Sequence, residues 1–221
     1  MGAGPVVRRG QSIPQGQGPI YVCTRNDDLE GVIAATPPQR RQDLVFLQNG
    51  MFLDLLAQHG LQDNTVALVY FAVSKVGAEP VDGGRTVVTG PWARAFADRL
   101  AAGGMACRVV ERDELGRELI EKLLWNCIFG LLGQLHQESV GQSVQRHRDQ
   151  VEALAEELAP VAEQALGVQL LPGVVDRLCA YSMTIADYRG AVKELPWRNG
   201  WFLERASTPL HRRLLVEAGA L

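Results

Sequence analysis

An α/β part followed by an all-α part is the fold class this sequence predicts, and three observations predict it. Between Pro19 and Val110, short continuous apolar runs rich in strand formers alternate with helix-like stretches, the pattern of a sheet covered on both faces. From Glu111 onward the apolar residues recur at helical spacing instead. The change falls in a narrow window at residues 110–113, which divides the chain into domains 1–110 and 111–221.

The first strand is expected over Pro19-Ile20-Tyr21-Val22-Cys23-Thr24, followed by Arg25-Asn26-Asp27-Asp28, a turn into a helix cap. Leu29 to Ala35 reads as a short helix, stopped by Pro37-Pro38. Leu44-Val45-Phe46-Leu47 is a second buried strand, ending at Gln48-Asn49-Gly50, and Val66 to Val73 is a third. Val87-Val88-Thr89 predicts a short strand, Pro91 to Ala102 a helix closed by Gly103-Gly104, and Cys107 to Val110 a further strand. Leu115, Leu119, Leu123 and residues 126–135 then keep helical register. Gln142 to Leu166 is a second helical region, in which Pro160 predicts a kink or break. Val174 to Ala186 and Trp197 to Ala206 are the remaining helices. The first eighteen residues hold five glycines and two prolines and read as loosely ordered. Within them Val6-Val7-Arg8-Arg9-Gly10 reads either as the remnant of a strand with phosphate-side basic residues or as an ordinary basic terminus.

Length and composition exclude several functions. A chain of 221 residues, 47% hydrophobic, is long enough for one large domain or two small ones with a proper core. Its net charge of -3 is spread over mixed acids and bases without a Lys/Arg block, so nucleic acid is not an expected partner. No apolar run approaches a membrane span and the N-terminus lacks a signal-peptide core, so no membrane partner and a cytoplasmic location are expected, an organelle staying open if the true start lies upstream. Cys23, Cys107, Cys127 and Cys179 lie far apart, none in a Cys-x-x-Cys pair, with no histidine at ligand spacing. They read as small buried hydrophobes in a reducing compartment, and no metal site is expected.

The chemistry-bearing stretch is Glu121-Lys122-Leu123-Leu124-Trp125-Asn126-Cys127-Ile128-Phe129-Gly130. Residues four apart share a helix face, so Lys122 and Asn126 point the same way out of a segment that otherwise favours burial. A buried amide needs partners, and a lysine at the edge of an apolar wall is suited to proton transfer. Gly130 and Gly133 leave room near that face. The plain alternative is a lysine that reaches solvent and an asparagine that ties down a loop.

This arrangement resembles the ketopantoate reductase family, the NADPH-dependent 2-dehydropantoate 2-reductases, over roughly residues 19–206. Glu121 to Asn126 is similar to the segment carrying that family's catalytic lysine and its asparagine partner. Leu47-Gln48-Asn49-Gly50-Met51 resembles the strand-end Asn-Gly-Met whose asparagine lies between cofactor and substrate. Tyr21-Val22-Cys23-Thr24-Arg25 resembles a strand ending in a lysine near the nicotinamide, here an arginine. Tyr181-Ser182-Met183, Glu194 and Asn199-Gly200 are similar to a C-terminal signature whose serine holds substrate and whose glutamate flanks the catalytic centre. The resemblance implies a partial Rossmann-like dinucleotide-binding domain over residues 1–110. Residues 111–221 would be an all-α domain of the kind related to 6-phosphogluconate dehydrogenase C-terminal domains. Lys122 and Glu194 are the implied catalytic residues. Asn126, Ser182 and Asn49 are implied on the substrate, and Arg25 and Asn49 on NADPH. A small 2-keto acid, a place in pantothenate biosynthesis and room for a homodimer follow from the same resemblance.

The departures are specific. The family opens with Gly-x-Gly-x-x-Gly, whose backbone amides and following helix N-terminus bind the pyrophosphate. This sequence contains no such motif, and Met1-Gly2-Ala3-Gly4-Pro5 has no strand before it. NADPH binding is therefore expected to be weak or absent. Glu194-Leu195 is followed by Pro196, where the family has an aspartate. Three alternatives stay open: an NADPH-dependent 2-keto acid reductase, a non-catalytic relative kept as a small-acid-binding or dimerisation module, and a chain beginning at an internal methionine of a longer enzyme.

Overall fold

The structure is a computed structural model, and it describes residues 4–72, 79 and 81–221. The chain forms two compact units, Met1–Leu115 and Gly116–Leu221.

The first unit is built on strands β1 (Ile20–Val22), β2 (Leu44–Phe46), β3 (Thr65–Leu68), β4 (Phe71–Ala72), β5 (Val81–Asp82), β6 (Val87–Thr89) and β7 (Arg108–Val109). Five of them make one sheet in the order β1-β2-β3-β6-β7. β1, β2 and β3 run parallel, β6 runs antiparallel to β3, and β7 runs parallel to β6. Every residue of β2, β3 and β6 is buried, as their unbroken apolar runs require. Successive side chains alternate between faces. Val45, Ala67 and Val88 meet Ala93, Phe96 and Leu100 of helix α3 (Ala93–Ala101). On β2 the next residue, Phe46, meets Phe52 with ring centroids 6.3 Å apart, just ahead of α2 (Leu53–Gln58). Helix α1 (Leu29–Ala35), which follows β1, buries Leu29 and Ile33 at helical spacing.

Two expectations in this unit need correction. The run Val66 to Val73 is not one strand. The Tyr70 backbone N–H turns to the Thr86 hydroxyl (3.0 Å) and its carbonyl to the Gly83 N–H (2.8 Å). The chain then enters a separate antiparallel pair, β4 with β5, and Val73 lies outside the described residues. Val6–Gly10 forms no strand. Residues 4–19 contain no helix or strand, and the Gln11 N–H closes a turn on Arg8 (2.9 Å). The segment is nevertheless tied down. Arg40, only 6% exposed, donates to the Pro14 and Gly18 carbonyls (2.9 Å each) and to the Asp43 carboxylate (2.6 Å).

The second unit is helical: α4 (Arg112–His136), α5 (Val140–Arg146), α6 (Arg148–Leu166), α7 (Val174–Thr184), α8 (Asn199–Arg205) and α9 (Pro209–Glu217). Among the described residues no strand follows Val109. The first turn of α4 belongs to the first unit, which moves the boundary a few residues beyond the expected 110–113. Leu119, Leu123, Ile128 and Leu132 are buried on several sides of α4, which makes it the central helix. The expected break at Pro160 falls instead at His147, and α6 runs through the proline. Pro160 and Glu156, whose carbonyl loses its helical partner, are both exposed, so the helix tolerates the proline at its surface. The helix expected over Trp197–Ala206 divides into a 3-10 turn at Leu195–Trp197 and α8. Helices α2 and α9 have no counterpart in the sequence pattern. α9 takes its N-terminal hydrogen bonds from a distant helix, where the Glu157 carboxylate accepts from the Leu210 (3.0 Å) and His211 (2.8 Å) N–H groups.

The cysteines are all free, but burial holds only for Cys127 and Cys179. Cys23 is exposed just beyond edge strand β1, and Cys107 is half-buried.

Candidate active site

Lys122 and Asn126 stand one helical turn apart on α4, with Trp125 between them. The Lys122 ammonium lies 5.9 Å from the Trp125 ring centroid and 5.7 Å from that of Tyr181, within reach of both π faces. Trp125 and Tyr181 meet edge to face at 5.2 Å, and Phe129 and Tyr188 each lie 6.0 Å from the indole. The lysine is therefore seated on a packed aromatic floor. The Asn126 amide nitrogen is buried and has no hydrogen-bond partner among the described residues. Native proteins rarely leave a buried donor unsatisfied, and such a group marks a place where a ligand or water completes the bond.

Ser182 does not occupy the position expected of a substrate ligand. Its side chain is fully buried; the hydroxyl accepts from the Trp125 indole N–H (2.9 Å) and donates to the Leu178 carbonyl (3.0 Å). It fixes the indole, and through it the surface under Lys122.

The room expected beside Gly130 and Gly133 is filled by backbone. A Cβ on Gly130 would come within 2.8 Å of the Ala191 carbonyl oxygen, one on Gly133 within 2.9 Å of that of Gly190, and one on Gly190 within 2.5 Å of that of Phe129. Three glycines thus let the segment after α7 lie directly on α4, and that segment leads into Glu194. Glu194 adopts a left-handed conformation (φ 48°), uncommon for a non-glycine residue. Its carboxylate does not cap the following 3-10 turn; it accepts from the Arg198 guanidinium at 2.6 Å. Burial pushes the Cys127 thiol well above its ordinary value, and the Arg198 charge opposes that rise.

In the first unit, Arg25 and Asn49 sit at the carboxyl ends of adjacent parallel strands β1 and β2, where open α/β sheets bind ligands. Two buried amides join these ends. Asn26 donates to the Asn49 carbonyl (2.8 Å), and Gln48 donates to the Val22 (2.9 Å) and Thr24 (3.2 Å) carbonyls. Arg25 is exposed and Asn49 half-buried. These surroundings do not fit a pyrophosphate. The first turns after β1 carry Asp27, Asp28 and Glu30, and that of α2 carries Asp54; acids there repel a phosphate. Among the described residues no group of three or more His, Cys, Asp or Glu is arranged to hold a metal, and no helix is long and apolar enough to cross a membrane.

Sequence reading missed Trp125, Tyr181 and Arg198. The signals were present: an aromatic three residues after Lys122 shares its face, and an arginine four residues after Glu194 is placed to pair with it.

No family model matches the sequence, and no curated protein matches it. Solved structures do. A PanE/ApbA family ketopantoate reductase from Ralstonia eutropha JMP134 is 22% identical, covering 93% of this chain and 76% of its own, with a TM-score of 0.70. A dimeric ketopantoate reductase from Staphylococcus aureus is 18% identical, with coverage of 90% and 76% and a TM-score of 0.69. A D-mandelate dehydrogenase in a ternary structure with NADH and anilino(oxo)acetate is 14% identical, with coverage of 94% and 77% and a TM-score of 0.71. At such identities the likeness establishes the fold alone: the chain has the fold of the ketopantoate reductases, an α/β part followed by an all-helical part.

Proposed function

We propose that the chain is a reductase of a small 2-keto acid, of the 2-dehydropantoate type, with Lys122 as its proton donor. The observation that carries this reading is the α4 face itself: an ammonium on an aromatic floor beside a buried amide nitrogen without an acceptor among the described residues. Reduced nicotinamide supplies the hydride when bound, and Arg25 and Asn49 are the residues to hold that end of it. Lys122 donates to the ketone oxygen as that atom gains charge. Asn126 donates to a substrate carboxylate or hydroxyl. Glu194 orients the ammonium or a substrate hydroxyl. Ser182 acts from behind, through Trp125.

Homodimerisation and a cytoplasmic role in making pantoate belong to the same reading; the dimeric Staphylococcus aureus relative supports the first. The acids in the first turns after β1 and β2 favour a second reading, a non-catalytic small-acid-binding or dimerisation module. One assay separates the two. The chain is mixed with 2-dehydropantoate and NADPH in large excess, and loss of reduced nicotinamide is followed. Turnover that Lys122→Ala abolishes supports the reductase. Saturable binding of 2-dehydropantoate without turnover supports the module.

A further inference from the structure

We propose that Arg198 is a positioning residue for Glu194, holding its carboxylate at the α4 face that carries Lys122 and Asn126. The inference rests on the reductase reading above and adds a residue to it. Glu194 sits in left-handed backbone space (φ 48°, ψ 50°) without a side-chain cap, so local structure alone does not favour its placement. What meets its carboxylate is the Arg198 guanidinium, at 2.6 Å.

Arg198 is itself held on both sides. The 3-10 turn brings its N–H to the Leu195 carbonyl (3.3 Å), and its own carbonyl accepts from Trp201 (3.1 Å). Next to it, Gly200 passes so near Leu195 that a Cβ would come within 2.6 Å of the Leu195 carbonyl oxygen. Asn199, fully buried, gives its side-chain oxygen to His211 at 2.8 Å. The arginine side chain is only 12% exposed while that of Glu194 is 34% exposed. The cation is thus the anchored partner and the carboxylate the accessible one. The chain reaches α4 just ahead of this pair, where the Gly190 and Ala191 carbonyls lie on Gly133 and Gly130. A charge-assisted bond to a shielded, anchored cation holds the more exposed carboxylate in place.

The test measures NADPH-dependent turnover of 2-dehydropantoate by the full chain, together with its cofactor-free binding of pantoate and its thermal midpoint. Arg198→Met is expected to lower kcat about tenfold or more, leaving KM and pantoate affinity within about threefold. Arg198→Lys, which keeps a charge, is expected to recover most of the loss, and Arg198→Gln, which keeps a donor of similar size, is not. Arg198→Met combined with Glu194→Gln is expected to be no slower than Glu194→Gln alone, since the two act as a unit. If Glu194→Gln is crippled while Arg198→Met keeps its kcat, the inference fails and the reductase reading stands. The inference fails in the same way if the losses from the two substitutions add, or if the thermal midpoint falls while kcat holds. Full activity in Glu194→Gln, or no turnover by the unaltered chain, overturns the reading and the inference with it.

Discussion

The indole N–H of Trp125 donates to the hydroxyl of Ser182 at 2.9 Å, and both partners are buried. α4 and α7 are joined there by a polar bond inside an aromatic cluster. Ser182→Ala leaves the indole N–H buried and unpaired, which costs about 1–3 kcal/mol. Denaturant unfolding is expected to show that loss. Substrate affinity is expected to change little, because the hydroxyl is bonded to the indole and to the Leu178 carbonyl. A large rise in KM with unchanged stability would return Ser182 to the substrate contact that the family resemblance implies.

Gly130, Gly133 and Gly190 make a second join, of backbone against backbone. Gly130→Ala forces α4 away from the Ala191 carbonyl, now 2.8 Å from where the new methyl would sit. Overpacking of this kind costs about 1–3 kcal/mol. The same displacement moves the segment that leads to Glu194, so activity is expected to fall more than stability does. Circular dichroism melts run beside turnover measurements check this, and an unaltered Gly130→Ala protein would show that the segment yields freely.

How much was legible follows from what periodicity carries. β2, β6 and α1 stand close to where their apolar runs place them, because a buried strand or an amphipathic turn writes itself into adjacent residues. The end of β3 and the helix α9 were not legible. Both depend on partners far along the chain: Thr86 and Gly83 for Tyr70, Glu157 for the first turn of α9. The site divides the same way. Lys122 and Asn126 share a face by helix geometry alone. That Ser182 lies behind Trp125, and that Glu194 faces Arg198 instead of capping its own turn, depends on how α7 and the glycine-lined segment pack on α4, which no local pattern encodes.

The acidic first turns after β1 and β2 bear on the cofactor. A dinucleotide draws much of its affinity from amide N–H groups at a helix N-terminus. Here those positions carry Asp27, Asp28, Glu30 and Asp54. Isothermal titration of the 221-residue chain with NADPH is expected to give binding weaker than ~1 µM, a threshold near 8 kcal/mol. Tighter binding would mean that some other segment, such as Val6–Gly10, serves the phosphates.

His211 gives the helical unit a defined acid response. It is fully buried, its Nε2 lies 2.8 Å from the Asn199 side-chain oxygen, and Thr208 stands 3.4 Å from Nδ1. Burial, with the neighbouring Arg212 charge, lowers its pKa from 6.5 to about 4. Below pH 6.5 the unfolded chain takes up a proton that the folded chain refuses until about pH 4. Stability from this group is therefore complete above 6.5, falls as pH drops toward 4, and levels off below that. One proton gives a slope of at most about 1.4 kcal/mol per pH unit. Urea midpoints across this range are expected to show the slope, and His211→Gln is expected to remove its share.

The last expectation concerns the proton itself. An ammonium aimed at a ketone oxygen acts mainly where that oxygen carries charge, which is the transition state and not the bound substrate. Lys122→Ala is therefore expected to lower kcat far more than it raises KM, by about a hundredfold or more, the usual loss on removing one preorganised donor. Trp125→Leu keeps the lysine but removes the larger ring of its floor and the partner of Ser182. It is expected to fall between the unaltered chain and Lys122→Ala in kcat. That ordering separates a lysine that is merely present from one that is aimed. If Lys122→Ala keeps kcat within about twofold, proton donation by this residue is wrong, and the α4 face becomes a binding surface without chemistry.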